Sequence, residues 1–178
     1  LMDRLGIRQA HVYGMSMGGA IAQQFAISHP ERVRSLALIA TFSRAQPAFL
    51  VRGESGVKDG MPAQIVPTLT RWFTPAALAE NGPGVRYARE SVLGTRPDDW
   101  LASWTALATV DVFPYLGRIK VPTKVIAGEL DVSCPPELMR NDIASQIPNA
   151  RFHVVPRASH MLTLSSPVEL AKVLSAED

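Results

Sequence analysis

Gly14-Met15-Ser16-Met17-Gly18 leaves this chain very little freedom in how it turns. His11-Val12-Tyr13 before it reads as a strand stopped at Gly14. Gly18 to Ser28 after it reads as a helix with Ala22, Phe25 and Ala26 on one apolar face, ended by Pro30. A G-x-S-x-G run between a strand and a helix predicts a very sharp turn in which the serine takes a strained backbone conformation. Residues two positions away must then approach closely, which predicts the need for Gly14 and Gly18. The turn lifts the Ser16 hydroxyl off the sheet and aims the helix N-terminus at it. The Met17 backbone N–H is thereby placed to meet a developing oxyanion.

A serine hydroxyl is a weak nucleophile at neutral pH and needs a base, which in turn needs an orienting acid. On an elbow of this kind the chain order is serine, acid, histidine. His11 and His29 lie too early, and His153 falls inside a strand where packing is the simpler role. His160, in the loop Ala158-Ser159-His160-Met161, is the candidate base. Asp131, just past the strand ending at Gly128, is the candidate acid, with Glu129 as its rival. Thr41-Phe42-Ser43 offers no carboxylate at the other position where such an acid could sit. Asp111 reads as a helix or turn cap. Cys134 reads as a small buried thiol with no base predicted nearby.

The rest of the chain alternates strands with helices. Strand candidates are Val33 to Phe42, apolar enough for burial on both faces, Thr123 to Ala127, and Arg151 to Val155. A helix opening at Pro136 carries Leu138, Met139, Ile143 and Ile147. A closing helix begins at Ser166-Pro167-Val168-Glu169, which reads as a capping box. This rhythm predicts βαβ units and a mostly parallel sheet, an α/β architecture. It breaks between residues 43 and 112, where Gly, Pro and Trp accumulate. Helices are expected there over Pro75 to Glu80, Val85 to Leu93 and Asp98 to Thr109, with Asp98 as an N-cap. The expected division is a core piece at 1–42 with the elbow, a helical cap insertion at 43–112, and a core piece at 113–178 with the acid and histidine loops. Trp104, and less strongly Trp72, Trp100 and Phe73, are candidates for a substrate-binding pocket wall or for the insertion's own core.

Composition narrows the function classes. The 178 residues are 47% hydrophobic and 19% charged, enough to bury a sizeable core. A net charge of +2 without a Lys/Arg cluster gives no nucleic-acid footprint. The longest apolar runs, such as Leu36 to Ala40, are far below the roughly 18 residues of a membrane span. One cysteine excludes an intrachain disulfide framework and a cysteine zinc site. The expectation is a soluble, cytoplasmic protein with no nucleic-acid or membrane partner.

With Ser16, Asp131 and His160 in that order, the chain resembles the α/β-hydrolase fold superfamily. The resemblance rests on HVYGMSMGGAIAQQFAISHPERVRSLALIAT, on VPTKVIAGELDVSCPPE, and on ASHM before a short closing helix. The middle region, from Arg71-Trp72-Phe73-Thr74-Pro75 through Thr95-Arg96-Pro97-Asp98-Asp99-Trp100 to Asp111, is similar to the cap of 3-oxoadipate enol-lactonases. The resemblance implies a serine hydrolase acting on a small-molecule ester or lactone through Ser16, Asp131 and His160, without metal or organic cofactor. It also implies that the chain corresponds to the C-terminal part of that fold. The strands ahead of the elbow strand and the loop giving a second oxyanion donor would lie upstream of Leu1.

Other readings keep the same residues: a C–C bond hydrolase, a perhydrolase, a non-catalytic ligand-binding member, or an inactive fragment. Basic and acidic residues nearly balance across the insertion, so no net field there selects a carboxylate substrate. An unpaired elbow strand would be an exposed edge, which predicts self-association.

Overall fold

The computed structural model describes residues 1–176. Its sheet is built from β1 (Ala10–Met15), β2 (Val33–Ile39), β3 (Thr123–Gly128) and β4 (Ala150–Val155). All neighbouring pairs are parallel and the spatial order is β1-β2-β3-β4, so chain order and sheet order coincide. β2 is interior, and its alternation explains its composition. Leu36 and Leu38 face one side with Val125 and Ala127, while Ile39 joins Ile126 and Val155 on the other.

Helix α1 (Met17–Ser28) covers the first face through Ala22 and Ala26. It is joined by α7 (Pro136–Met139) and the π-turn Arg140–Ala144, which contribute Met139 and Ile143. Helices α8 (Leu162–Ser165) and α9 (Pro167–Ser175) cover the second face through Leu162 and Leu170. The architecture is a parallel α/β sheet with helices on both sides. No helix among the described residues is long and apolar enough to cross a membrane.

Between β2 and β3 the chain forms five α-helices, α2 (Ala48–Asp59), α3 (Met61–Trp72), α4 (Pro75–Glu80), α5 (Pro83–Gly94) and α6 (Pro97–Leu107), and then a 3-10 helix, Phe113–Arg118. Their own apolar clusters centre on Leu69, Phe73, Val85 and Ala88, and on Met61, Val92 and Trp100. Where the chain leaves and re-enters the sheet layer it is clipped shut. Ala45 N–H donates to Val110 O at 2.7 Å and Val112 N–H to Ser43 O at 2.9 Å.

Several local expectations need correction. Val33 to Phe42 is not all strand, because Ala40 takes φ 43° and turns the chain after Ile39. Asp98 is not an N-cap: Pro97 starts α6 and Arg96 occupies the cap position without a side-chain bond. Ser166 likewise caps α9 without a side-chain hydrogen bond, so the capping box does not close. Asp111 is no cap either, forming an antiparallel bridge with Arg44.

Helices α2 and α3 escaped sequence reasoning, since Gly53, Gly56 and the internal Pro67 all lower helix propensity. Gly56 has a packing reason. A Cβ there would collide with the Trp100 indole, whose Nε1 would lie 2.9 Å away.

Candidate active site

At the end of β1 the backbone reverses within one residue. Ser16 sits at φ 51°, ψ −118°, a region that costs a non-glycine residue about 1–3 kcal/mol unless its surroundings hold it. Those surroundings are specific. Ser16 N–H donates to Ile39 O at 2.9 Å, and Thr41 Oγ1 donates to Ser16 O at 2.6 Å. The buried Gln23 amide ties Gly19 O and Phe42 O together at 3.1 and 3.0 Å.

The glycine requirement is only half as expected. A Cβ on Gly14 would run into the Gly18 carbonyl oxygen, and would lie 2.8 Å from Gly19 Cα. Gly18 itself has open space, and the second crowded position is Gly19, where a Cβ would lie 2.5 Å from the Thr41 side chain. Met17 opens α1, so its N–H has no carbonyl a turn earlier within the helix to bond. Met17 lines the same cavity as Ser16 and His160.

Asp131 and His160 come from loops that are zipped together. Glu129 N–H donates to Val155 O at 3.0 Å and Leu130 N–H to Ala158 O at 2.8 Å. The Glu129 carboxylate accepts the Arg157 N–H at 2.7 Å, which holds a turn where Arg157 has φ 58°. Glu129 therefore builds the histidine loop and does not contact His160's ring. Asp131 Oδ1 accepts the N–H groups of Ser133 and Cys134 at 2.7 and 3.0 Å. Its Oδ2 lies 2.9 Å from His160 Nδ1, and His160 Nε2 lies 3.0 Å from Ser16 Oγ.

A carboxylate can only accept, so Nδ1 carries the proton and Nε2 accepts from the serine hydroxyl. Both Asp131 and His160 are 3% exposed. The arrangement can move a proton from Ser16 Oγ to an imidazole whose charge Asp131 then stabilises. Ser16, Asp131, His160 and Met17, chosen from the sequence, are thus brought to one place.

The other histidines go elsewhere. His11 bonds Ser35 Oγ through Nδ1 at 2.6 Å, His29 packs on Phe25, and His153 lies on β4 opposite Ile126.

Above Ser16 and His160 is a cavity of about 250 Å³, walled mostly by apolar side chains of the insertion and of the loop after β2. Trp104 lines it, as do Trp72 and Trp100, whereas Phe73 is buried in the insertion's own cluster. Trp104 is seated between Phe49 and Trp100, with ring centroids 5.4 and 5.7 Å away.

Sequence reasoning missed Phe42, Gln46, Phe49, Arg52, Arg71 and Cys134 as cavity residues. The expectation that Cys134 has no base nearby is wrong. Ligand atoms of Asp131, Cys134 and His160 all lie within 4.8 Å of one another. Asp131 provides the missed signal, because its Oδ1 accepts the N–H of the residue three positions on and so draws Cys134 into the site. Burial, then the Asp131 carboxylate, push the Cys134 thiol well above its ordinary value, so it is a neutral wall group. Both Asp131 oxygens are already engaged by donors, and Asp131, His160 and Ser16 form a hydrogen-bonded relay with the Cys134 thiol beside it.

An elbow serine, a histidine and an acid converging at the C-terminal edge of a parallel sheet define a hydrolase class. Residues 1–167 match the family described as alpha/beta hydrolase fold, and the chain belongs to that family.

RutD of Pseudomonas syringae pv. syringae (strain B728a), assigned to carbamate hydrolysis by its name, is 29% identical over 182 residues. That match covers 99% of this chain and 70% of RutD. A pimeloyl-[acyl-carrier protein] methyl ester esterase of Aeromonas hydrophila is 29% identical over 185 residues, covering 93% of this chain and 69% of that protein. The solved enol-lactonase of Burkholderia xenovorans LB400 superposes with a TM-score of 0.91 at 29% identity, over 97% of this chain and 66% of its own. The chain thus spans about two thirds of the length of these proteins.

Proposed function

We propose that this chain carries the catalytic residues of a serine hydrolase that cleaves a small carboxylic ester or lactone by two-step acyl transfer. Ser16 Oγ attacks the carbonyl carbon as His160 Nε2 takes its proton. The new O–C bond converts the carbonyl to an oxyanion, which the Met17 N–H meets. Collapse breaks the bond to the leaving oxygen, and His160 returns the proton to it. Water, deprotonated by His160, then attacks the acyl-serine, and Ser16 leaves with the proton restored. Asp131 holds the imidazole tautomer and offsets its transient charge. Trp104 contributes an apolar wall for the acyl or lactone portion. All the chemistry is performed by side chains and a backbone N–H.

The observation that carries this reading is the unbroken Asp131–His160–Ser16 chain of hydrogen bonds opening into an apolar cavity. Within the ester and lactone class, an enol-lactone is the narrower proposal, supported by the cap resemblance and by the likeness to the Burkholderia enzyme.

The test is turnover of a panel of p-nitrophenyl esters, an enol-lactone and a carbamate by protein carrying this chain, alongside Ser16→Ala. Ester or lactone turnover lost in Ser16→Ala supports the reading. Equal rates in the variant, or turnover of the carbamate alone, would overturn it.

A further inference from the structure

The cavity wall holds two guanidinium groups. Arg52 projects from the first half of α2 and Arg71 from the last turn of α3, and both line the chamber that also contains Ser16 and His160. No carboxylate lines that chamber. Among the described residues neither arginine has an acidic oxygen within ion-pair distance: the ion pairs there are Arg32–Asp3, Arg44–Asp142, Arg96–Asp99 and His160–Asp131. The near-balance of charge along the insertion therefore hides two positive charges set in the cavity wall beside Ser16 and His160.

Each arginine is seated, which argues against loosely solvated side chains. Arg52 lies over the Trp104 and Phe49 rings, its guanidinium carbon 5.3 and 5.8 Å from their centroids. Arg71 reaches Thr68 Oγ1 with Nη2 at 3.3 Å. Both residues also line a second hollow of about 260 Å³ on the outer side of α2 and α3, where Asp59 is the acidic group, held beyond ion-pair reach. Burial lowers Arg52, and burial followed by repulsion from Arg52 lowers Arg71 to about 10, yet both stay protonated at neutral pH. Two like charges held near each other in a half-buried wall without a paired carboxylate repel each other, and an anion entering between them relieves that repulsion. Guanidinium forks match carboxylates in shape and donor geometry.

We propose that Arg52 and Arg71 form an anion subsite in the wall of the catalytic cavity, and that it holds a carboxylate carried by the ester or lactone substrate. The substrate class is then a half-ester of a dicarboxylic acid, or a lactone bearing a free carboxylate. Trp104 serves the same subsite, since its ring face supports Arg52. This inference rests on the hydrolase reading for the identity of the reacting group, but the anion site itself does not.

The experiment compares mono-p-nitrophenyl glutarate with p-nitrophenyl pentanoate, which share the reactive group and differ in the distal carboxylate. The wild type should favour the glutarate in kcat/KM by about tenfold or more, the range of a charge-assisted hydrogen bond. Arg52→Gln and Arg71→Gln should each shrink that ratio, and Arg71→Lys should retain part of it, excluding a simple folding defect. Free glutarate should raise the melting temperature of the wild type and not of the double Gln variant. An unaltered ester ratio in the Gln variants would overturn the proposal. If both esters are cleaved equally and glutarate gives no shift, the subsite fails while the hydrolase reading stands. If neither ester is cleaved but glutarate still stabilises in an arginine-dependent way, the hydrolase reading fails and the anion site stands.

Discussion

Thr41 Oγ1 donates to the Ser16 carbonyl at 2.6 Å, so the strained residue of the elbow is pinned from the chain just beyond the neighbouring strand. The Ser16 carbonyl also accepts from Gly19 and Ala20 N–H, at 2.9 and 3.2 Å. Losing the threonine bond alone therefore leaves that oxygen paired. Thr41→Val should lower stability by only about 1 kcal/mol. Its larger effect should fall on kcat, by about tenfold or more, because a small shift of Ser16 Oγ misaligns the attack. Steady-state kinetics alongside urea melts check the split, and a fall in stability with kcat untouched would show that the bond serves the fold alone.

The two glycines of the motif should behave oppositely. Gly14→Ala forces a Cβ into backbone atoms of Gly18 and Gly19, which cannot step aside without opening the elbow. It should cost about 3 kcal/mol or more, or prevent folding. Gly18→Ala meets open space and should leave stability within about 1 kcal/mol of wild type, or raise it through helix propensity. Chemical denaturation of both variants decides the matter.

Asp131→Asn should cut kcat by about 10⁴-fold, since an amide cannot offset the imidazolium and favours the wrong tautomer. Glu129→Gln should leave kcat nearly unaltered, because Gln still presents an oxygen to the Arg157 N–H. A reversed order of severity would transfer the acid's role to Glu129.

Cys134 gives a pH signature. Its thiol is raised in the folded chain, so folding disfavours ionisation. Below the unfolded value of roughly 8.5 the thiol is neutral in both states and costs nothing. As pH rises past that value the unfolded thiol ionises first, and stability falls until the folded thiol ionises too. Urea melts from pH 7 to 10 should show a steeper loss for wild type than for Cys134→Ala. Iodoacetamide at pH 8 should alkylate the unfolded chain and spare the native one, as read by mass spectrometry.

Among the described residues β1 has a neighbour on one side only, and Tyr13 on it is 55% exposed. Such an edge pairs readily with another chain. The 178-residue chain should therefore run as a dimer or larger species by light scattering, shifting toward monomer with Tyr13→Lys. A monomer at every concentration tested would refute this.

Much of the site was legible because its signals are local. A turn that crowds backbone atoms restricts which residues can occupy it, so Gly14 and Ser16 announce the elbow within a few positions. β-branched runs and prolines mark the strands and helix starts nearby, and the order serine, acid, histidine is what the resemblance to the α/β-hydrolase fold implies. Helices α2 and α3 were not legible, since Gly53, Gly56 and Pro67 all look like helix breakers, and only the packed structure shows that Gly56 makes room for the Trp100 indole.

The sequence by itself determined a parallel α/β chain with a nucleophile elbow at Ser16 and candidate partners at Asp131 and His160. Only the tertiary structure decided that His160 meets Ser16 across 144 residues, that Glu129 supports a loop instead of the ring, and that Cys134 stands beside Asp131 and His160. It alone set Arg52 and Arg71 in one wall without a carboxylate between them. The physical reason is range. Backbone sterics and hydrophobic period act between near neighbours and are written in short runs of residues. Which side chains share a cavity depends on how helices pack on a sheet, and no local pattern encodes that.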